Sequence, residues 1–162
     1  MSRIPISIEG FRHLENELDN LKKDRPAVIE AIKVAREEGD LSENAGYDAA
    51  RERQGMLEAR IRYIETRMAT ANVIDLATLD GEKVIFGATV EIEDIDTGDV
   101  KKYTLLGPDE ANPGKGSISV LSPVGQALLG KEEGDEIVVD APRGKIHYEI
   151  IAISFQGAAV LR

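Results

Sequence analysis

Two segments with helical apolar spacing, from about Ile8 to Glu38 and from about Glu43 to Ala71, flank one short acidic turn. No other part of the chain restricts its fold as much. In the first segment Leu14, Leu18, Leu21, Val28, Ile32 and Ala35 form a heptad seam, interrupted once at Arg25. Pro26, inside that pattern, removes one backbone donor and predicts a local kink in an otherwise continuous helix. In the second segment Tyr47, Ala50, Gln54, Leu57, Ile61, Ile64, Met68 and Ala71 alternate three and four apart, with Gln54 the one plainly polar member. Ser7 suits the N-cap of the first helix, and Glu9 falls in its positive first turn. Gly39 suits the left-handed residue that ends this helix, and Ser42 suits the cap of the next. Helices joined by a turn of about two to four residues pack antiparallel. Each arm then reaches roughly 45 Å at about 1.5 Å per residue. The expectation is a coiled-coil hairpin domain over residues 1–75 with an acidic tip at 39–44.

The helical period stops near Asn72, and a linker is expected over residues 76–81. Beyond it the period becomes two. Val84, Phe86, Ala88, Val90 and Ile92 share one face of a strand spanning Lys83 to Asp94. Further strands are expected over Val100 to Leu106, Ser117 to Leu121, Glu136 to Asp140 and Ile146 to Ile153. Ser122-Pro123 pairs a good cap with proline at the first helical position, which predicts a short helix ending at Gly130. The fold class is therefore α+β: a long helical hairpin, then an antiparallel-rich sheet with one short helix over residues 82–156. The tail, residues 157–162, carries no readable signal.

Composition removes several functions. The chain has no Cys, which excludes disulfides and thiolate metal sites, and its two His stand far apart at His13 and His147. A net charge of −10 argues against strong independent binding to DNA, and 4% aromatic residues with no Trp argue against base-stacking platforms. The N-terminus does not resemble a signal peptide, and no apolar run approaches a membrane span. A cytoplasmic protein is expected. Its negative charge is concentrated in the C-terminal half, while Arg36, Arg51, Arg53, Arg60 and Arg62 lie on the hairpin.

Asp40 and Glu43 would sit at the far end of the hairpin. An isolated D-x-x-E before a helix has an ordinary reading, because carboxylates there are favoured by the helix dipole and often do nothing else. The surrounding residues change its weight. Ala35-Arg36-Glu37-Glu38-Gly39-Asp40-Leu41-Ser42-Glu43-Asn44-Ala45, continued by Tyr47-Asp48-Ala49-Ala50-Arg51-Glu52, stands ahead of Val84-Ile85-Phe86-Gly87-Ala88-Thr89-Val90. A third block combines Ile118-Ser119-Val120-Leu121-Ser122-Pro123, Ala127-Leu128-Leu129-Gly130-Lys131 and Gly134-Asp135. With these three blocks in order, nearly the whole chain resembles the Gre family of bacterial transcript cleavage factors.

The resemblance implies a partner, bacterial RNA polymerase, and an FKBP-like C-terminal domain that docks at the rim of its secondary channel. It implies that the coiled coil passes down the channel, and that the polymerase then cuts the extruded 3′ end of a backtracked RNA. Asp40 and Glu43 match the family's acids, which help hold a Mg²⁺ shared with the polymerase active site. The chain would have no cofactor of its own and would hold metal only in the complex. Asn44 and Tyr47 match tip positions that shape the turn or contact RNA. Arg36 and Arg51 match a basic patch that faces the RNA, and Ser122 and Pro123 match the docking surface. Leu121 stands where relatives often carry Asn or Asp. The chain is expected to be a monomer and to lack enzymatic activity by itself.

Two other readings stay open from the residues. One is a related inhibitor that plugs the channel, which would be expected to alter the tip acids. The other is a coiled-coil chaperone or prolyl isomerase, whose pocket would have to draw on Phe86, Tyr103, Tyr148 and Phe155.

Overall fold

A computed structural model describes residues 3–39 and 44–161. The chain divides into two units, Phe11–Ala71 and the flanking Met1–Gly10 with Asn72–Arg162.

The first unit is the helical hairpin. Helix α1 spans Ile8–Glu37 and α2 spans Ala45–Ala69. Leu14, Leu18, Val28, Ile32 and Ala35 of α1 are buried, as are Ala50, Leu57, Ile61 and Ile64 of α2, so the seam follows the heptad pattern. Leu21 and Gln54 are half-buried. The helix runs through Pro26 without a break, and the exposed proline leaves the carbonyl one turn earlier open to water. Arg25, the interruption in the seam, forms a two-pronged bond with Glu58 at 2.7 and 2.9 Å. Arg60 grips Glu17 in the same way at 2.6 and 2.9 Å. As the α1 partner moves toward its C-terminus the α2 partner moves back, which fixes the pair as antiparallel. Among the described residues no helix is long and apolar enough to cross a membrane.

A two-stranded sheet brackets the hairpin in sequence: β1, Ile4–Ser7, pairs with β2, Ala71–Ile74. The period of the sequence does not reveal either strand. Each has four residues, and Pro5 within β1 disfavours a strand assignment. Ser7 still caps α1 from the end of β1, its Oγ accepting from Gly10 N–H at 3.0 Å. The residues expected to be a linker include a buried Leu76 at the start of a 3₁₀ turn, Leu76–Thr78.

The sheet of the second unit comprises β3 (Thr89–Asp94), β4 (Val100–Leu106), β5 (Ser117–Ser119), β6 (Glu136–Ala141) and β7 (Gly144–Ser154). Their order is β5-β4-β3-β7-β6, antiparallel except for the β4–β5 pair. Helix α3, Pro123–Leu128, follows β5. Val84, Phe86, Ala88, Val90 and Ile92 are all buried, but the strand begins only at Thr89. Gly87, at φ +88°, turns the chain before it. The alternation thus marks burial correctly and overstates the strand. Thr89 and Thr104 face each other across β3 and β4, and their buried hydroxyls bond at 2.8 Å. The tail also has a place, since Gly157–Leu161 forms a 3₁₀ segment whose Val160 and Leu161 pack against the core.

Candidate functional site

The connection between α1 and α2 is closed by one side chain. A helix leaves its last four carbonyls and first four amides without internal partners, so a tight turn between two helices must satisfy both sets. Asn44 serves both ends. Its Oδ1 accepts from Tyr47 N–H at 3.0 Å, capping α2, while its Nδ2 donates to the Ala35 carbonyl of α1 at 2.6 Å. The Asn44 carbonyl accepts from Asp48 N–H at 3.1 Å, and Ala35 O also accepts from Glu38 N–H at 3.3 Å.

Asn44, rather than Ser42, is therefore the N-cap of α2. Asn and Ser are near-equal caps, so composition does not separate them. The structure selects Asn44, whose side chain also bonds back to α1 through the Ala35 carbonyl. Gly39 has φ +139°, a conformation that side-chain-bearing residues rarely adopt. Asp40, Ser42 and Glu43 lie outside the described residues.

Arg36 is in the last turn of α1, while Tyr47 and Arg51 are in the first two turns of α2. The Asn44–Ala35 bond brings them to one end of the hairpin. Arg36 and Arg51 are exposed and Tyr47 is half-buried. Among the described residues neither arginine has an ion-pair partner. Their placement gives one end of the hairpin two cations beside the turn. Exposed guanidinium groups in such a place suit contact with phosphate or carboxylate oxygens.

Ser122 and Pro123 belong to the other unit. The Ser122 hydroxyl donates to Ser119 O at 2.6 Å and accepts from Gly125 N–H at 3.1 Å, so it is consumed in capping α3. What this capped corner presents outward is Pro123 and Leu121, the latter 56% exposed. Pro123 also edges a groove of about 280 Å³ with Val124, Tyr103 and Tyr148. Of the four C-terminal aromatics only these two tyrosines line it; Phe86 is buried in the core and Phe155 packs against it.

A contact that sequence reasoning did not anticipate ties down the start of α1. The Glu110 carboxylate accepts from Ser7 N–H at 2.8 Å, from Gly107 N–H at 3.3 Å and from the Ser7 hydroxyl. Ser7 is fully buried. The separation of 103 positions between the partners explains why no local pattern signals it.

Two family descriptions match this chain, "Transcription elongation factor, N-terminal" over residues 4–73 and "Transcription elongation factor, GreA/GreB, C-term" over residues 79–155. The transcription elongation factor GreA of Solidesulfovibrio magneticus is 80% identical over 157 residues, covering 97% of this chain and 96% of its own length. That of Nitratidesulfovibrio vulgaris is 76% identical over 157 residues, with the same coverage of 97% and 96%. Among solved structures, GreA factor homolog 1 of Thermus thermophilus is 28% identical, with a TM-score of 0.44, covering 94% of this chain and 99% of its own. Matched in both halves, and 80% identical to a GreA over nearly its full length, the chain belongs to the GreA/GreB family of transcription elongation factors.

Proposed function

We propose that this chain binds bacterial RNA polymerase and inserts its hairpin through the secondary channel. There it stimulates the polymerase's own cleavage of backtracked RNA 3′ ends, which returns arrested complexes to elongation. The observation that carries this reading is the antiparallel helix pair whose ends Asn44 ties together. The sequence places Asp40 and Glu43 between a helix ending at Glu37 and one beginning at Ala45, at the point most distant along both arms from β1 and β2.

Carboxylate oxygens suit Mg²⁺, which takes one or two of them and completes an octahedral shell with water and other ligands. Among the described residues no group of three or more acidic or histidine side chains could hold a metal. Asp40 and Glu43 thus fit part of a site that a partner completes, and the bound ion would supply charge neutralisation and an activated water for phosphoryl chemistry. Arg36 and Arg51 would hold the RNA phosphates beside the acids, and Pro123 and Leu121 would meet the polymerase surface that the Ser122 cap orients.

The test is a stalled, backtracked polymerase with and without this protein. The native chain should restore cleavage and extension. Asp40→Asn and Glu43→Gln should each lower cleavage by roughly 10²-fold or more, as loss of a group stabilising the transition state does. Binding to polymerase should persist. Undiminished cleavage by the double variant overturns the metal role, and efficient RNA cutting by the chain alone overturns the shared site.

A further inference from the structure

We propose that one flank of the helical hairpin is a self-association surface, on which two copies of this chain pair about a two-fold axis at Met56. The inference is independent of the function proposed above.

Met56 lies outside the buried seam of α2 and is 69% exposed. A single exposed methionine is ordinary. Its setting is less so. Beside it Leu21, Val28, Ala49 and Leu57 line an apolar groove of about 410 Å³ along the hairpin. The charged residues of the same groove are two acids, Asp24 and Glu52, and two bases, Arg53 and Arg60. Two copies meeting on this balanced flank avoid the repulsion that a net charge of −10 imposes on the chain as a whole.

A second copy is the occupant because the stripe complements itself when reversed. Glu52 stands four positions before Met56 and Arg60 four after, while Ala49 stands seven before and Tyr63 seven after. All five are exposed. Spacings of four and seven keep residues on one helix face. Two antiparallel α2 helices crossing at Met56 therefore set Glu52 of each copy against Arg60 of the other, and the small Ala49 against the large Tyr63. Arg53, three positions before Met56, meets Ala59, three after, so like charges do not face each other along this stripe. Arg60 is already ordered for the contact by Glu17, at 2.6 and 2.9 Å, and by the Tyr63 ring, whose centroid lies 5.1 Å from its guanidinium carbon. A guanidinium has five N–H donors and can bond two carboxylates at once. The contact from Ala49 to Tyr63 runs roughly 21 Å at about 1.5 Å per residue, which is short for a stable dimer. Pairing should be weak, with a Kd of about 10–100 µM. The monomer expected from the resemblance is then the dilute form.

The test is sedimentation of the full chain from about 5 to 500 µM, a range that brackets this Kd. The native chain should pass from monomer to dimer. Met56→Glu, which puts two charges on the axis, should stay monomeric. Glu52→Lys and Arg60→Glu each set like charges face to face and should raise Kd at least about tenfold. An equimolar mixture of these two variants restores opposite charges at both contacts and should recover the dimer, a rescue that damage to either fold would not produce. Helix content is measured for each variant. If Arg60→Glu loses it along with its Glu17 bond, Met56→Glu and Glu52→Lys, both at exposed positions, decide. A native chain monomeric to the top of the range overturns the proposal. So does a dimer that survives Met56→Glu, or a mixture of folded variants that fails to pair, since either puts the contact elsewhere. A monomeric chain whose binding to polymerase falls with Met56→Glu assigns the groove to that partner and overturns it equally.

Discussion

Glu110 shows how much of this molecule depends on single side chains far apart in sequence. Its half-buried carboxylate gathers two amides and a hydroxyl around the entry to α1. The approach is close enough that a Cβ at Gly107 would lie 2.1 Å from Pro5 O, and one at Gly10 would lie 2.5 Å from Glu110 Oε1. Gly107→Ala meets backbone, which cannot swing aside, and is expected to cost about 1–3 kcal/mol. Glu110→Ala strands buried donors at Ser7 and should cost a similar amount, about 1–3 kcal/mol. Urea unfolding of the two variants and the native chain measures both. Ser7 as a helix cap was legible in the sequence because capping is local. Glu110 was not, because nothing within a few residues of it announces an acceptor for a distant amide. The tip divides in the same way: the sequence suggested Ser42 as the cap of α2, and the structure gives that place to Asn44, which also bonds the distant Ala35 carbonyl.

At the scale of elements, the heptad pattern gave both helices and most of their buried face, since a 3.6-residue period survives any detail of the partner. Arg25 looked like a fault in that pattern, and the structure gives it a partner in Glu58. Both inter-helix ion pairs are partly exposed, so solvent screens them. A double-mutant cycle on Glu17 and Arg60 should return a coupling below about 1 kcal/mol. Hydrogen bonding from Arg60 holds the Glu17 carboxyl below its ordinary range, and that from Arg25 does the same for Glu58, in both cases against the opposing effect of burial. A carboxyl whose folded pKa is depressed contributes stability above its unfolded value, about 4.3 for Glu, and loses it as pH falls through the folded value. Stability, read from the helix signal on unfolding, should therefore fall on acidification below that point, and that of the Glu17→Gln, Glu58→Gln double variant should fall less steeply. The strands were less legible than the helices. β4 matched its expected span, whereas β1 and β2 are too short to show a period, and the turn at Gly87 starts β3 later than the buried alternation suggests.

Over the whole molecule, the unit containing the sheet is assembled from both ends of the chain, with the hairpin residues inserted between them. Ile6 is 2% exposed and Ser7 fully buried, so residues preceding the hairpin belong to the packing of that unit. A fragment beginning at Asn72 would lack both, together with the partners of Glu110 and β2. It should melt below the full chain, which calorimetry on the two would show. Sequence reading assigned the first residues to the hairpin alone because adjacency along the chain is visible there and return contacts are not.

Pairing of β1 with β2 has a mechanical meaning. Asn44 fastens the two helices at one extremity and this short sheet fastens the segments that lead into and out of the other, so neither helix can slide along its neighbour. The hairpin behaves as a gauge of set length. Removing one heptad from each arm, in register, would shorten it by about 10 Å at 1.5 Å per residue while leaving seam, sheet and turn chemistry intact. Under the function proposed above, such a truncated gauge should still bind polymerase while stimulating less cleavage, and restoring the heptads should restore it.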